Sequence, residues 1–161
     1  MAAGKAFFTP EEIRPLARRS DVMGALLLVH CWGVIAAAIG LFAWWPSVLT
    51  FVIAVVLIGS RQLGLAILMH DAAHNALFAT NWLNERAGQW LCGRPIIADL
   101  PSYRSYHLTH HRYTQTEKDP DLRLSRAFPT TRASMKRKFW RDITGQTGIK
   151  QLAAQIRLSF Q

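Results

Sequence analysis

Cysteine and acidic residues are both scarce in this sequence of 161 residues. The two cysteines, Cys31 and Cys92, lie far apart and are interpreted as free thiols, which excludes a disulfide-stabilised scaffold. Asp and Glu number 10 against 19 Lys and Arg, so the formal net charge is +9. Charged residues make up only 18% of the chain whereas 50% is hydrophobic, and this composition excludes a disordered protein.

Charge is absent altogether from Val22 to Ser60, a stretch of 39 residues. A membrane-spanning helix needs about 20 predominantly apolar residues, so this stretch accommodates nearly two. The motif Trp44-Trp45-Pro46-Ser47 interrupts it with aromatic residues typical of a membrane interface and a proline typical of a turn. We therefore predict a helical hairpin with spans at Val22–Trp45 and Val48–Met69. The less favoured alternatives are two core helices of a soluble protein and a cleaved signal peptide, which is shorter than this stretch.

Basic residues lie on both sides of the predicted hairpin but not in its turn. Because Lys and Arg mark the cytoplasmic side of membrane proteins, we expect both ends of the hairpin to be cytoplasmic. We interpret residues 1–161 as one unit comprising a cytoplasmic N-terminus (1–20), a transmembrane hairpin (21–69) and a cytoplasmic cap (70–161). The expected fold class is all-α, and this charge distribution argues against nucleic acid as a partner. The bases that precede the hairpin are Lys5, Arg14, Arg18 and Arg19.

The cap is predicted to consist of short helices separated by proline-containing breaks. Pro95 and Pro101 bracket one loop, and Asp119-Pro120-Asp121 forms a second break. One helix carries apolar residues between five bases, which suits an anionic bilayer surface; a plain solvated face is the alternative. The predicted helical segments lie at about 82–92, 102–113, 132–143 and 149–160.

Five of the six histidines fall into two groups, His70-Asp71-Ala72-Ala73-His74 and His107-Leu108-Thr109-His110-His111. We call these the first and second histidine boxes. Spacings of three and four residues place side chains on one face of a helix, so each box can direct its imidazoles toward one point. Neutral imidazole binds iron, zinc, copper and nickel, and we predict that His70, His74, His107, His110 and His111 are metal ligands. Surface histidines that sense pH are the alternative.

Carboxylates accompany both boxes. Metal-bound histidines usually donate their second ring N–H to a carboxylate or a carbonyl, which fixes the orientation of the ring. Asp71 lies inside the first box and is the best candidate for this role, while Asp119 and Asp121 follow the second box. The remaining histidine, His30, stands alone in the first span, and we interpret it as a buried neutral side chain outside the site.

The two boxes, together with Arg112-Tyr113-Thr114 and Asp119-Pro120-Asp121, resemble those of the membrane-bound fatty acid desaturase family. The boxes match that family in residue type, spacing and position relative to the hairpin. The resemblance implies a non-haem centre of two Fe ions on the cytoplasmic side, which uses O2 and two reducing equivalents to desaturate an acyl chain. It further implies a membrane lipid or acyl substrate and an electron donor such as ferredoxin or a cytochrome b5-type protein. The three residues between His70 and His74 favour the acyl-lipid desaturases over the acyl-CoA enzymes.

The sequence departs from this family pattern after His111, since no further histidine follows. No apolar run of about 20 residues follows Leu100 either. We therefore expect the chain to match the N-terminal half of the family, to supply only part of the ligand set and to be inactive by itself. The alternatives are a carotenoid ketolase or hydroxylase on the same scaffold, a non-enzymatic membrane zinc-binding protein, and a basic peripheral anchor.

Overall fold

The computed structural model of the protein describes residues 8–159, so Lys5 and Phe160 lie outside the described residues. All elements in the described part are helical, which confirms the all-α prediction. The elements are α1 (Pro10–Leu16), α2 (Asp21–Trp44), α3 (Val48–Ala73), α4 (Asn81–Ala87), a π-helix (Gly88–Gly93), a 3₁₀-helix (Arg94–Ile96), α5 (Leu100–Tyr113), α6 (Leu122–Ser125), α7 (Arg132–Ile143) and α8 (Gln146–Ser159).

Helices α2 and α3 form the predicted hairpin, and both are long and apolar enough to cross a membrane. Their 24 and 26 residues correspond to lengths of about 36 and 39 Å, which exceed the roughly 30 Å hydrocarbon layer. Ser20 caps α2 by accepting from the Met23 N–H. Ser47 caps α3 in the same way through the Thr50 N–H, so the three-residue turn leaves few backbone groups unpaired.

Helix α3 continues four residues past Met69, where the sequence analysis ended the second span. It ends because Asn75 adopts a left-handed conformation with φ of 53°. The Asn75 N–H donates to the Ala72 carbonyl (2.9 Å) and the Ala76 N–H donates to the Asp71 carbonyl (2.8 Å). This cap closes the helix immediately after the first histidine box, so His70 lies within the last turn.

The predicted helix at Trp82–Cys92 exists, but it is divided between α4 and the π-helix. The Trp32 indole N–H donates to the Leu91 carbonyl (3.0 Å) and so ties the π-helix to the first span. The loop predicted between Pro95 and Pro101 is shorter than expected. Pro95 lies in the 3₁₀-helix and Pro101 in the first turn of α5, where a missing N–H leaves no hydrogen bond unmade.

The start of α2 packs tightly against the segment that follows α3. A Cβ added to Gly24 would lie 2.5 Å from the Leu77 carbonyl oxygen and 2.8 Å from the Phe78 ring, so only glycine allows this approach. Beside it, Asp21 accepts hydrogen bonds from the backbone N–H (2.9 Å) and hydroxyl (2.7 Å) of Thr80. The histidine-bearing end of α3 is thereby held against the neighbouring helix.

We predict that Gly24→Ala destabilises the protein by about 1–3 kcal/mol, because the added methyl group overpacks a closed contact. Gly40→Ala is the matched control in the same helix, where an added Cβ meets nothing within 4 Å. It is expected to leave stability unchanged or to raise it slightly. Thermal unfolding in detergent measures both variants, and equal midpoints would contradict the packing described for Gly24.

Candidate metal centre

The two histidine boxes meet where the end of α3 lies against α5. His70 and His74 are one helical turn apart at that end, with His74 as the C-cap residue. The second box occupies the last two turns of α5. Because residues at i and i+4 share a helix face, His107 and His111 turn toward α3 together. The sequence pattern therefore produced a single cluster from two segments that are far apart in the chain.

His107 is the centre of this cluster. Its Nε2 lies 3.0 Å from Nε2 of His74 and 2.9 Å from Nε2 of His111. Its ring also contacts that of His70, with 4.6 Å between the centroids. One ring nitrogen from each of these four histidines lies within 4.8 Å of the other three. We call His70, His74, His107 and His111 the four-histidine cluster.

The donor set of the cluster fits a transition-metal ion. Two nitrogen ligands about 2.1 Å from one ion and at right angles to each other are about 3.0 Å apart, which is the spacing seen around His107. Burial and the neighbouring histidines lower the pKa of His107 to about 4. Its imidazole is therefore neutral at pH 7, and neutral imidazole is the form that binds a metal.

His110 belongs to the same box but lies outside the four-histidine cluster. Its Nδ1 is 2.7 Å from Oδ1 of the buried Asp119. The hydrogen bond to this carboxylate raises the pKa of His110. Burial opposes ionisation of Asp119, but hydrogen bonds from His110 and from the N–H groups of Gln115 and Asp121 keep the pKa of its carboxyl below the usual value. Nδ1 of His110 is thus engaged, which leaves Nε2 available.

The other two predicted carboxylates also lie beside the histidines. Asp71 Oδ1 is 3.0 Å from Nδ1 of His70, and Asp121 Oδ2 is 3.6 Å from Nδ1 of His110. Asp121 in addition accepts a hydrogen bond from the Tyr106 hydroxyl. All three carboxylates named from the sequence therefore approach Nδ1 of a histidine, as expected for residues that orient imidazole rings.

Arg104 holds the two boxes together, and the sequence analysis missed it. Its guanidinium donates to the carbonyls of Ala73 (2.8 Å) and Ala72 (3.1 Å) in the last turn of α3, where carbonyls lack the helical i+4 partner. The same guanidinium forms an ion pair with Glu85 of α4 (2.7 Å). A cation at the C-terminal end of a helix is also stabilised by the helix dipole. A single arginine thus connects α3, α4 and α5 beside the cluster.

Two further sets of contacts position His107 and the start of α5. Within α5, the Tyr103 ring stacks on the His107 ring one turn away, with 5.2 Å between centroids and 9° between planes. The Gln89 side chain accepts from the Leu100 N–H (2.7 Å) and donates to Asp99 (3.1 Å), the N-cap residue of α5. The Gln89 contacts join the π-helix to the start of α5, and no helical spacing in the sequence indicates them. An arginine placed three residues before a histidine box is the one clue that the sequence offered.

His30 lies apart from the cluster, and its side chain is exposed rather than buried as predicted. Its Nε2 lies 3.4 Å from the Arg61 guanidinium, on the neighbouring helix of the hairpin.

Comparison with known proteins shows that the similarity extends beyond the two histidine boxes. The model of the fatty acid desaturase family matches residues 43–160. Dihydrorhizobitoxine desaturase of Bradyrhizobium elkanii is 37% identical over 117 residues, which are 70% of this chain and 31% of that protein. The sn-1 oleoyl-lipid 12-desaturase of Picosynechococcus sp. is 31% identical over 104 residues, which are 64% of this chain and 27% of that protein. The chain thus spans less than a third of the length of these curated relatives, and no solved structure matches it.

We predict that Arg104→Gln weakens Co²⁺ binding by about 10–100-fold, as is usual when a group that positions metal ligands is lost. The Co²⁺ affinity of Arg104→Lys should lie between those of Arg104→Gln and the wild type, because an ammonium group keeps the charge but not the planar set of N–H donors of a guanidinium. Arg112→Gln removes the same charge from the same helix, where Arg112 contacts the Tyr113 ring instead. Titration of the metal-free protein by absorbance measures all three, and an equal loss in Arg112→Gln would contradict the role of Arg104.

The lowered pKa of His107 predicts how the stability of the metal-free protein depends on pH. A histidine has a pKa near 6.5 when unfolded and His107 has about 4 when folded, so the unfolded chain binds the proton first as the pH falls. Stability is therefore full above pH 6.5 and declines toward pH 4. His107→Asn should flatten this part of the profile in thermal unfolding of EDTA-treated protein. If the stability of the wild type and of His107→Asn declined equally with pH, the lowered pKa assigned to His107 would be contradicted.

Proposed function

This chain belongs to the fatty acid desaturase family, and we propose that it forms part of an enzyme that uses O2 to introduce a double bond into the acyl chain of a membrane lipid. The family establishes a desaturase-like oxidoreductase associated with membranes, and both relatives are named desaturases. The observation that carries the finer proposal is the convergence of four imidazole nitrogens at the end of an apolar hairpin.

We propose that the metal is iron and that the centre holds two ions. The four-histidine cluster would hold one of them, because Nε2 of His107 already lies at ligand spacing from Nε2 of His74 and of His111. His110 would contribute its free Nε2 to the other, since its Nδ1 is engaged by Asp119. Iron bound by these residues would supply the O2 chemistry that removes hydrogen from an unactivated methylene group.

The carboxylates have a positioning role in this proposal. A carboxylate that accepts the Nδ1–H of a histidine leaves the Nε2 lone pair free for a metal and prevents the ring from rotating. Asp119 acts in this way on His110, and its own position is fixed by the N–H groups of Gln115 and Asp121, both at 2.8 Å. Asp71 has the corresponding contact with His70.

The proposed substrate is a lipid acyl chain that approaches from the membrane side of α3. A shallow cleft of about 450 Å³ is lined by Ala66 and Ile67 of the apolar span, by His70 and Asp71 of the first box, and by Tyr103. Apolar side chains thus line the cleft up to the four-histidine cluster, which a methylene substrate requires. The printed names of the relatives differ in substrate, and the oleoyl-lipid enzyme supports a lipid here.

We propose further that the boxes face the cytoplasm and receive electrons from an acidic donor, of the ferredoxin or cytochrome b5 type. Residues 101–161 contain 12 Lys or Arg against 4 Asp or Glu, and the turn of the hairpin contains none. This distribution supports the cytoplasmic orientation, and a positive surface accelerates association with a negative protein.

The test is iron content and lipid desaturation by protein produced from its complete natural reading frame. His107→Ala should abolish both, because it removes the central nitrogen of the cluster, whereas His30→Ala should retain both. Mass spectrometry of the lipids distinguishes a double bond (loss of two hydrogens) from a hydroxyl or keto product. Tightly bound zinc without O2 consumption, or full activity of His107→Ala, would overturn the proposal.

A further inference from the structure

Helices α7 and α8 form a second, shorter hairpin that contains none of the proposed metal ligands. Thr131 caps α7 by accepting from the Ser134 N–H. Gly145 has a φ of 76° and makes the turn between the two helices. The Thr147 hydroxyl then donates to Asp142 (2.7 Å) across that turn. The geometry of the connection is therefore well defined.

The α7–α8 hairpin exposes an unusual amount of apolar surface. The side chains of Trp140 and Ile143 are 66% and 81% exposed, and Ile149 on α8 is 69% exposed. Isolated apolar side chains are normal on a protein surface, but several large ones on adjacent helices indicate a contact with another apolar phase. The other exposed members of this set are Phe139, Leu152 and Ile156.

The same hairpin is strongly basic. Residues 132–159 contain seven Lys or Arg and a single acidic residue, Asp142. Three of the bases line one shallow surface together with the Trp140 ring: Lys136, Arg137 and Arg141. Tryptophan with surrounding Lys and Arg is the combination favoured at the level of lipid headgroups, where aliphatic stems contact acyl chains and charged ends contact phosphates.

The α7–α8 hairpin also lies beside α3 at the level expected for lipid headgroups. Gly148 and Leu152 of α8 border a cleft whose opposite wall includes Gln62 and Ala66 of α3. Ala66 is seven residues, or about 10 Å, from the histidine-bearing end of α3. The length of α3 exceeds the thickness of the hydrocarbon layer by about 9 Å. Ala66 therefore lies close to the boundary between acyl chains and headgroups.

We propose that the α7–α8 hairpin is a membrane-surface anchor that binds the headgroups of acidic phospholipids. Trp140, Ile143 and Ile149 enter the boundary of the bilayer, and the bases around Trp140 contact phosphates. An acidic protein partner would also match the positive charge of the hairpin, but it would not provide an apolar environment for the large apolar side chains. The position of α8 beside the span favours lipid. This inference does not depend on the nature of the metal or the reaction.

The experiment places a bimane label at Ile143→Cys in the chain reconstituted in lipid nanodiscs. Cys31 and Cys92 are buried, and the chain without the new cysteine corrects for any labelling there. In discs that contain phosphatidylglycerol, we expect blue-shifted emission and strong quenching by lipids that carry a nitroxide near the headgroup. In discs of phosphatidylcholine alone, quenching should decrease.

Charge reversal provides the matched comparison. The triple variant K136E/R137E/R141E should lose most of the quenching in acidic discs, since each base near an anionic surface contributes on the order of 1 kcal/mol, or about fivefold in binding. The control R112E/R123E/R126E changes the charge of the cap equally at exposed positions outside the hairpin and should retain the quenching.

Three results would overturn the proposal. Quenching by iodide in water but not by lipid would show a solvated face. Protection from both quenchers, or protection that appears only when an acidic protein is added, would show that protein covers the surface. Equal lipid quenching in both kinds of disc and in both triple variants would contradict the preference for acidic headgroups.

Discussion

The contact between Arg104 and the end of α3 is the constraint on which the rest of the site depends. Where α3 stops, the guanidinium from α5 donates to the carbonyls of Ala73 and Ala72, and the Ala72 carbonyl also accepts from the Asn75 N–H. Because Arg104 lies one turn before His107, this contact sets the height of the second box relative to the first. Glu85 neutralises the arginine from a third helix, so the charge can be half-buried without a large penalty.

The four-histidine cluster explains why such positioning is required. Nitrogen atoms of neutral imidazoles that face each other at about 3 Å satisfy one another only in part, because each pair can share a single proton. Holding them together therefore costs free energy in the metal-free state, and a bound cation offsets that cost. The contacts of Arg104 and Gln89 keep α5 in place, so the ligands would not need to be gathered when a metal binds.

The sequence predicted the helices more accurately than the contacts between them. The uncharged stretch and its Trp-Trp-Pro-Ser interruption were sufficient to predict the hairpin, and the histidine spacings were sufficient to predict two faces that converge. The separation of His110 from the other four histidines was not predicted, since spacing alone cannot tell that Asp119 binds its Nδ1. Gly88 was missed for a similar reason. A Cβ there would lie 2.6 Å from Cβ of Ala72, a contact between distant segments that only the packed structure reveals.

The central claim is that nitrogens from both boxes bind one metal ion, and X-ray absorption spectroscopy tests it most directly. For metal-free protein loaded with one equivalent of Co²⁺, the account predicts a shell of nitrogen ligands at about 2.1 Å and outer-shell scattering from about four imidazoles. It also predicts that His74→Ala and His111→Ala, one from each box, each reduce the imidazole number by one. A shell dominated by oxygen with two or fewer imidazoles, or one that changes only when a single box is altered, would contradict it.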